Sequence, residues 1–380
     1  MSVNYTLFGD PVVTVPVTEG VKYAGSKLKL LPHILRLAHR TGAKSVLDGF
    51  SGTTRVSQAF ARSGYSVVCN DVSEWSKVFG NCYLMNKMPR MHYEGIINHL
   101  NAVPPKTGWF TKHYGGIVSR IGQLSVEQDG LKKPWQIHNT RKLDGIRSEI
   151  DRMGLSPIEH AVALTSLILG LDRVDSTIGH FASYLREWSR RSFNMLRLEI
   201  PKLFISEEDN RVLQRDVFDV SGIDVDLAYY DPPYGSNNEK MPPSRVRYTA
   251  YYHLWTSICL NDEPELFGKA KRRLDSSDKL SASVFEEFRR NPATGRYFAV
   301  EALEQLIAST RAKWIILSYS SGGRTTATEI DSMIRNCGTV LEFVKINYKR
   351  NVMANMRWTN EWLSDAESPN CEYLFLIDKG

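Results

Sequence analysis

A strand, a glycine-bearing turn, a helix and a second strand follow one another between residues 44 and 70. The apolar runs at 44–50 (KSVLDGF) and 65–70 (YSVVCN) are bounded by turn residues, as strands are. Between them, apolar residues recur at helical spacing from Val56 to Phe60. The two strands of such a unit are parallel, because the helix carries the chain back along the sheet. The sequence therefore predicts an α/β fold built on a mostly parallel sheet.

Later strands and two interruptions define the predicted organisation. Further strand-like runs lie at 225–230, 314–319, 341–348 and 372–377. Helical patterns at 140–153, 157–171 and 177–196 interrupt this rhythm, and no low-complexity linker flanks them, so we interpret residues 87–205 as a helical lobe inserted into one sheet domain. The predicted sheet domain comprises residues 1–86, 206–240 and 297–380, and residues 241–296 are predicted to form a basic loop region above the sheet.

Composition excludes several classes of protein. A chain of 380 residues with 42% hydrophobic and 24% charged residues is globular, and its longest apolar run, 161–171, is too short to span a membrane. The first residues, MSVNYTLFGD, lack the regions of a signal peptide, and five cysteines without a CxxC pair suit reduced thiols. We therefore expect a cytoplasmic protein. Nine histidines without an HExxH or HxH cluster predict no metal site.

The tetrapeptide Asp231-Pro232-Pro233-Tyr234 directly follows the apolar run 225–230. Two prolines fix their backbone and donate no N–H, so their carbonyls stand beside the Asp231 carboxylate as a rigid set of acceptors. Such a set suits an amine, and a planar base could stack on Tyr234 while its amino group donates to Asp231. The alternative is a diproline turn with Tyr234 packed at its rim.

Three further acidic positions follow or precede predicted strands. Asp48 belongs to a Gly-containing turn, S-V-L-D-G-F-S-G-T-T-R-V, in which Gly52 lets the backbone approach a ligand and a helix N-terminus follows. Asp71 closes the next strand, where an acidic side chain accepts hydrogen bonds from ribose hydroxyls; helix capping is the alternative. Asp216 precedes the strand of the tetrapeptide and could hold an adenine edge or simply occupy a turn. The chain lacks GxGxxG and GxxxxGK[ST], which disfavours dinucleotide and triphosphate binding.

Taken in order, these motifs resemble the S-adenosylmethionine-dependent DNA adenine-N6 methyltransferases of the Dam-like group. The resemblance spans most of the chain and rests on KYAGSK at 22–27, DGFSG at 48–52, Asp71, DPPY at 231–234 and IILSYSS at 315–321, with NTRKLDGIR at 139–147 and RYTAYYHLW at 247–255. It implies a Rossmann-like methyltransferase sheet with an inserted helical DNA-recognition lobe. It also implies S-adenosyl-L-methionine as cofactor and the DPPY residues, Asp231, Pro232, Pro233 and Tyr234, as the catalytic set.

The resemblance also assigns roles to residues outside the tetrapeptide. The turn of the family is closer to F-x-G-x-G, whereas this chain has F-S-G-T-T at 50–54 and so lacks the second glycine. The substrate would be double-stranded DNA, from which the adenine must be flipped because its amine is unreachable inside a duplex. The resemblance also implies a cognate restriction endonuclease, present as a separate chain, as a partner. It implies a location in the cytoplasm of a bacterial or phage-infected cell, associated with the nucleoid. The cofactor-binding residues carried over are Tyr23, Gly25, Lys27, Asp48, Phe50, Gly52 and Asp71, with Asp216 added from its position.

Basic residues supply candidates for the DNA contact. The net charge is +6, and residues 106–202 hold 15 Lys and Arg against 10 Asp and Glu. We predict a helix from 184 to 197 with three arginines on one face, which would lie against phosphates or in solvent. A second cluster lies in the predicted loop region. The candidates are Arg186, Arg190 and Arg197 on the helix, Arg245 and Arg247 near the tetrapeptide, and Lys269, Lys271, Arg272 and Arg273 in the cluster.

Two other functions stay open and one is excluded. Cytosine-C5 methyltransferases use a cysteine preceded by proline, and none of the five cysteines here follows a proline. Cytosine-N4 enzymes resemble this architecture but usually carry Ser in place of the Asp of DPPY, so adenine is favoured. A non-catalytic DNA-binding protein that retains the fold is the second alternative, and the intact tetrapeptide argues against it.

Overall fold

The central sheet confirms the predicted α/β class. The computed structural model describes residues 4–5, 11–117, 124–127, 129–235, 247–277, 280, 283–287, 289–323, 325–347 and 371–380. Within them, the seven strands of the sheet run in the order β6-β7-β5-β4-β1-β2-β3. Their bounds are Ser45–Asp48 (β1), Ser66–Asn70 (β2), Arg211–Leu213 (β3), Leu227–Tyr230 (β4), Trp314–Ser320 (β5), Thr339–Asn347 (β6) and Cys371–Asp378 (β7).

Strand directions place the candidate site. β3, β2, β1, β4 and β5 pair in parallel, whereas β7 runs antiparallel between β5 and β6. The chain order reverses at β1, whose neighbours are β2 and β4. Loops that leave the carboxyl ends of strands diverge at such a point and open a crevice between them. The segments containing Asp48, Asp71 and Asp231 follow β1, β2 and β4 and therefore meet at one edge of the sheet.

Helices cover both faces of the sheet and build the lobe. They are Leu31–Thr41 (α1), Arg55–Arg62 (α2), Glu74–Leu84 (α3), Glu94–Ala102 (α4), Trp109–Tyr114 (α5), Ile137–Arg152 (α6), Pro157–Val174 (α7), Val217–Val220 (α8), Tyr248–Tyr251 (α9), His253–Leu260 (α10), Phe298–Ser309 (α11) and Ala327–Cys337 (α12). Short 3-10 turns lie at Lys27–Lys29, Arg90–Tyr93, Arg190–Phe193, Leu274–Ser276 and Val284–Glu286. Two-residue strands pair Asn4–Tyr5 with Pro11–Val12, Gly115–Gly116 with Trp135–Gln136, and Leu266–Phe267 with Arg272–Arg273.

Two apolar layers sandwich the sheet, and a third core fills the lobe. Helices α1 and α2 cover one face through residues such as Leu35 and Phe60, and α11 and α12 cover the other through Leu306 and Ile334. In the lobe, α4 to α7 share a core with α3 and with α10, which inserts Trp255. Part of the segment predicted as a basic loop is thus helical, because its run YTAYYHLWTSICL is apolar enough to be buried.

The helix predicted at 177–196 is wrong. This stretch is irregular apart from the turn Arg190–Phe193. Its polar side chains fold back on Asp175: the Ser189 hydroxyl donates to the Asp175 carbonyl at 2.9 Å, and the Arg191 guanidinium lies 2.6 Å from the Asp175 carboxylate. Such side-chain bonds offer the backbone an alternative to the helix. Arg186, Arg190 and Arg197 are exposed but share no helix face.

None of the helices described has both the length and the apolarity that crossing a bilayer requires.

One buried carboxylate of the lobe holds the start of α5. Asp144 of α6 is 5% exposed and accepts hydrogen bonds from the backbone N–H groups of Gly108 at 2.9 Å, Phe110 at 3.0 Å and Thr111 at 2.9 Å. It therefore caps α5 from a neighbouring helix. We expect Asp144→Ala to lower the free energy of unfolding by about 3 kcal/mol, because three buried donors lose their acceptor. Chemical denaturation followed by circular dichroism measures this loss.

The control is Asp331→Ala on α12, whose carboxylate is exposed and pairs with Arg335 one turn away. We expect it to leave stability nearly unchanged, since exposed pairs contribute little. Equal losses in the two variants would contradict the capping role of Asp144.

Candidate active site

A cleft at the carboxyl ends of β1, β2 and β4 brings the predicted site together. Segments from the N-terminus, from three strand ends and from the 283–286 turn line it. The cleft is lined by all eight residues predicted to bind the cofactor, namely Tyr23, Gly25, Lys27, Asp48, Phe50, Gly52, Asp71 and Asp216, and by Asp231 and Pro233 of the tetrapeptide. The sequence motifs thus share one space, and their individual roles remain predictions.

Asp71 ties the turn after β1 to the end of β2. Its Oδ2 accepts a hydrogen bond from Gly52 N at 2.8 Å, and its Oδ1 accepts one from Ser73 N at 2.8 Å. Gly52 has φ of +47°, a conformation that glycine adopts at little cost. Burial raises the pKa of Asp71, and the bonds from Ser73 and Gly52 oppose that shift. Asp71 therefore shapes the turn before the helix that follows it, while still facing the cleft.

Asp48 is a buried carboxylate with unused accepting capacity. It is fully buried, Ser57 Oγ donates to its Oδ2 at 2.5 Å, and its Oδ1 has no hydrogen-bond partner among the described residues. Burial raises the pKa of Asp48 to about 7, with Ser57 opposing the shift and the charges of Asp231 and Asp71 adding to it. A cationic donor entering the cleft would satisfy this oxygen and favour the ionised carboxylate.

Lys27 lies against the tetrapeptide. Its side chain is 5% exposed, and its Nζ is 3.1 Å from Asp231 Oδ1 and 3.1 Å from Glu372 Oε2. It also donates a hydrogen bond to Tyr234 Oη at 2.9 Å. Burial opposes the charged ammonium, yet Asp231, Tyr234 and Glu372 together raise the pKa of Lys27 above its ordinary value. Lys27, which was predicted to contact the cofactor, therefore binds the Asp231 and Tyr234 side chains of the DPPY segment.

The Asp231 carboxylate combines burial with access to the cleft. Its side chain retains 18% of its area, and Oδ1 faces Lys27 without a directional hydrogen bond. Burial raises the pKa of Asp231 to about 6, a shift that Lys27 opposes and Glu372 reinforces. The carboxylate thus has acceptor positions to offer to a group that enters the cleft.

An aromatic group closes the cleft beside the KYAGSK segment. The Tyr23 ring stacks on Tyr252 with centroids 4.7 Å apart and lies 5.5 Å from Tyr248. Ala24 N donates to the Tyr252 hydroxyl at 2.7 Å, which fixes the segment. Gly25 has φ of +83°, and a Cβ there would lie 2.9 Å from Tyr248 Oη. A side chain at position 25 would therefore meet both strain and the Tyr248 hydroxyl.

Sequence patterns missed one wall of the cleft and one residue that contacts its lining from behind. Phe285 lies edge-on to Phe50 at 5.3 Å and stacks on Phe218 at 5.7 Å, so the 283–286 turn forms part of the cleft. Glu372 reaches Lys27 from β7. No motif marked either residue, because each acts through partners far away in the chain. Asp216 both lines the cleft and caps α8 through Phe218 N at 3.0 Å.

The basic cluster at 269–273 belongs to an anchored hairpin. Arg273 is buried and pairs with Asp262 and Asp275, each at 2.7 Å. The Tyr114 hydroxyl donates to the Lys271 carbonyl at 2.7 Å, which fixes the hairpin to α5. The hairpin therefore displays three cations, Lys269, Lys271 and Arg272, the last with its guanidinium 4.6 Å from the Phe267 ring.

The remaining basic candidates stand apart. Arg247 is buried where α9 begins, and Arg245 lies outside the described residues. Arg186, Arg190 and Arg197 are exposed on the irregular stretch of the lobe.

Comparison with known proteins gives the class of this chain. It belongs to the D12 class of N6 adenine-specific DNA methyltransferases, whose family profile matches residues 23–290. It is 26% identical over 353 residues to the modification methylase StsI of Streptococcus sanguinis, covering 90% of this chain and 50% of that protein. It is 26% identical over 370 residues to the type II methyltransferase M.NlaIII of Neisseria lactamica, covering 94% and 99%. To M.FokI of Planomicrobium okeanokoites it is 23% identical, covering 94% and 53%.

The chain thus spans about half the length of the StsI and FokI methylases and nearly all of M.NlaIII. Membership of a methyltransferase family implies S-adenosylmethionine as methyl donor. The cleft fits that group: the donor carries an ammonium and a sulfonium, and the cleft offers the unpartnered Asp48 Oδ1 among several carboxylates. Among the described residues, no group of three His, Cys, Asp or Glu side chains could hold a metal ion.

Gly25 provides a test of the cleft. Gly25→Ala places an alanine in the left-handed backbone conformation, and its Cβ displaces the Tyr248 hydroxyl. We therefore expect the affinity for S-adenosylmethionine to fall about tenfold and the free energy of unfolding to fall by about 1 kcal/mol. The matched control is Gly42→Ala, which has φ of +69° and no atom within 4 Å of its new Cβ. It should lose similar stability and no affinity. Calorimetric titration measures both variants, and equal affinities would separate Gly25 from the ligand site.

Proposed function

We propose that this chain transfers a methyl group from S-adenosylmethionine to the N6 amine of an adenine flipped out of double-stranded DNA. One observation carries the proposal. The Asp231 carboxylate, held by Lys27, faces the cleft that also contains the residues predicted to bind the methyl donor. Donor and acceptor subsites therefore meet at the end of β4.

The tetrapeptide suits an amine as acceptor of the methyl group. The lone pair of an exocyclic amine is delocalised into the ring, which makes the nitrogen a weak nucleophile. Hydrogen bonds from the amine to Asp231 and to a carbonyl of the diproline favour a more tetrahedral nitrogen, whose lone pair can form the new N–C bond. Bound S-adenosylmethionine supplies a methyl group whose bond to sulfur breaks with the electron pair left on sulfur. The methylated nitrogen then releases one proton to solvent, which restores a neutral amine.

Three carboxylates would hold the donor. Asp48 has a free Oδ1 for the ammonium of the methionine part. Asp71, which follows β2, retains lone pairs for the ribose hydroxyls, and Asp216 stands where an adenine edge could be bound. Phe50 and Phe285 supply apolar surface beside these groups.

The target base would have to leave the duplex. A flipped adenine reaching Asp231 would stack on Tyr234, whose hydroxyl is fixed by Lys27. The alternative assignment, cytosine-N4 methylation, is disfavoured by Asp231 in place of Ser. A restriction endonuclease as a separate partner, and a place at the nucleoid in the cytoplasm, complete the proposal.

The experiment is transfer of tritium from labelled S-adenosylmethionine to unmethylated duplex DNA, followed by nucleoside analysis. N6-methyladenine is the expected product. N4-methylcytosine would overturn the adenine assignment, and DNA binding without any binding of S-adenosylmethionine would favour a non-catalytic DNA-binding protein. Sequencing the methylated DNA would then define the recognition sequence.

Asp231→Ala separates chemistry from binding. We expect methyl transfer to be abolished, because the amine loses its main acceptor, while affinity for S-adenosylmethionine changes by less than about threefold. The contrasting variant is Asp71→Ala, which should weaken that affinity by about 1 to 3 kcal/mol. Single-turnover rates and calorimetry measure the two effects. Near-normal turnover of Asp231→Ala would remove this residue from the mechanism.

We also propose that the hairpin at 266–273 contacts DNA phosphates. Lys269, Lys271 and Arg272 project from it, whereas the buried Arg273 holds the hairpin through its two carboxylate partners. This revises the four-residue cluster predicted from sequence to three contacts and one anchor. The exposed arginines at 186, 190 and 197 remain a second candidate surface.

Replacing Lys269, Lys271 and Arg272 by Ala should flatten the salt dependence of DNA binding. Each phosphate contact contributes about 0.9 to the slope of log affinity against log salt, so the slope should fall by about 2.7. The control replaces three exposed residues near the amino ends of β1 and β5, Lys44, Arg311 and Lys313, and should keep the slope. An unchanged slope in the hairpin variant would move the DNA contact to the lobe arginines.

A further inference from the structure

A buried lysine holds two carboxylates that lie far from it, and from each other, in the sequence. Lys27 Nζ is 3.1 Å from Asp231 Oδ1 and 3.1 Å from Glu372 Oε2, and the Glu372 side chain is 14% exposed. The tetrapeptide motif accounts for Asp231 and the KYAGSK motif for Lys27. Neither motif accounts for Glu372, which the sequence marks only as the first residue of a predicted strand.

The backbone of Glu372 is fixed on both sides. It pairs with Ser320 of β5 and with Ile346 of β6. The neighbouring residue, Cys371, is also held in place. Its backbone N–H donates to Ser321 Oγ at 2.9 Å, and its carbonyl accepts from Ser321 N at 2.8 Å. The carboxylate is therefore presented to Lys27 by a strand residue that is paired on both sides.

The charges of the three groups have a consequence for the reacting amine. With both carboxylates ionised, Lys27, Asp231 and Glu372 carry a net charge of −1. Without Glu372, Lys27 would neutralise Asp231. During methyl transfer the amine nitrogen gains positive charge, because its lone pair enters the new bond. A site with net negative charge stabilises that change more than a neutral one does.

We propose that Glu372 is a positioning residue for methyl transfer, which binds the Lys27 ammonium and so keeps the site around Asp231 negative and Tyr234 in place. This inference rests on the proposed function. Glu372 acts through Lys27 and does not touch the base. Its role is thus distinct from the acceptor role of Asp231.

The titratable groups around Asp231 determine the pH at which its carboxylate gains a proton. Its charged neighbours are Lys27, Glu372 and Asp48, and Ser318 also interacts with it. Burial keeps the pKa of each facing tyrosine above its ordinary value, so these phenols stay neutral in the relevant range; they are Tyr23, Tyr229, Tyr234 and Tyr248. Since Glu372 raises the pKa of Asp231, removal of its charge should lower that pKa, and the active carboxylate form would then persist to lower pH.

The kinetic test is Glu372→Gln. We expect the single-turnover methylation rate at neutral pH to fall about tenfold, with the affinities for S-adenosylmethionine and DNA within about twofold of wild type. The acid limb of the pH–rate profile should shift to lower pH by about one unit. The matched control is Glu342→Gln on the adjacent strand, a half-buried carboxylate that binds Arg36 and Arg40 and lies outside the cleft lining. It should keep the wild-type rate and profile.

A double variant distinguishes action through Lys27 from direct action. In a Lys27→Gln background the Glu372→Gln change should cause no further loss, because there is no ammonium left to offset. Losses that multiply, or a Glu372→Gln enzyme with wild-type rate and profile, would overturn the inference. If the Gln variant does not fold, Glu372→Asp replaces it: a several-fold slower rate is expected, and an unchanged rate would overturn the inference equally.

A measurement without substrates keeps this inference separate from the proposed function. In ligand-free protein with ¹³C-labelled aspartate carboxyls, the Asp231 signal is identified by its loss in Asp231→Asn. Its titration midpoint should fall by about one pH unit in Glu372→Gln and stay unchanged in Glu342→Gln. An unchanged midpoint in both would overturn the electrostatic coupling. A wild-type protein that methylates no DNA would overturn the proposed function, and the coupling would still be decided by the titration.

Discussion

The ammonium of Lys27 can be buried only because opposite charges surround it. A buried cation without partners costs more free energy than a domain can spare, whereas one with two carboxylates and a phenol is retained. This requirement joins three elements: the turn Lys27–Lys29, the end of β4 and the start of β7. The geometry of the tetrapeptide thus depends on the whole sheet being assembled, including the antiparallel strand between β5 and β6.

A second constraint shapes the other half of the cleft. The parallel strands β1 and β2 end side by side, and Asp71 bridges their loops through Gly52 N and Ser73 N. A carboxylate that satisfies backbone donors costs little to bury and holds the turn open toward the cleft. Asp48, one strand end away, is left with an oxygen that nothing in the described protein uses. A carboxylate with its hydrogen bonds satisfied and one with an unused oxygen therefore lie side by side at this edge.

Sequence reasoning succeeded where the signal was local and failed where it was not. The long apolar strands and the helices α6 and α7 were predictable, because periodicity and turn residues lie within each segment. The strand Arg211–Leu213 was missed because three residues carry no period, and the stretch 177–196 was assigned to a helix because its bonds to Asp175 are invisible to periodicity. Glu372 and Phe285 escaped for a related reason, since their partners lie far away in the chain. The motifs did identify the cleft residues, because their order along the chain is distinctive.

The contact between Lys27 and Glu372 joins residues 345 positions apart. During synthesis the ribosome releases the N-terminal segment, the strand ends and the lobe long before β7 emerges, and domains begin to fold as they appear. Until that last strand enters the sheet, Lys27 faces only part of its charge environment and the tetrapeptide lacks its final support. A nascent or C-terminally truncated chain could therefore form much of the cleft while remaining unable to modify DNA. The charge cluster around Lys27 therefore closes only after β7 has joined the sheet.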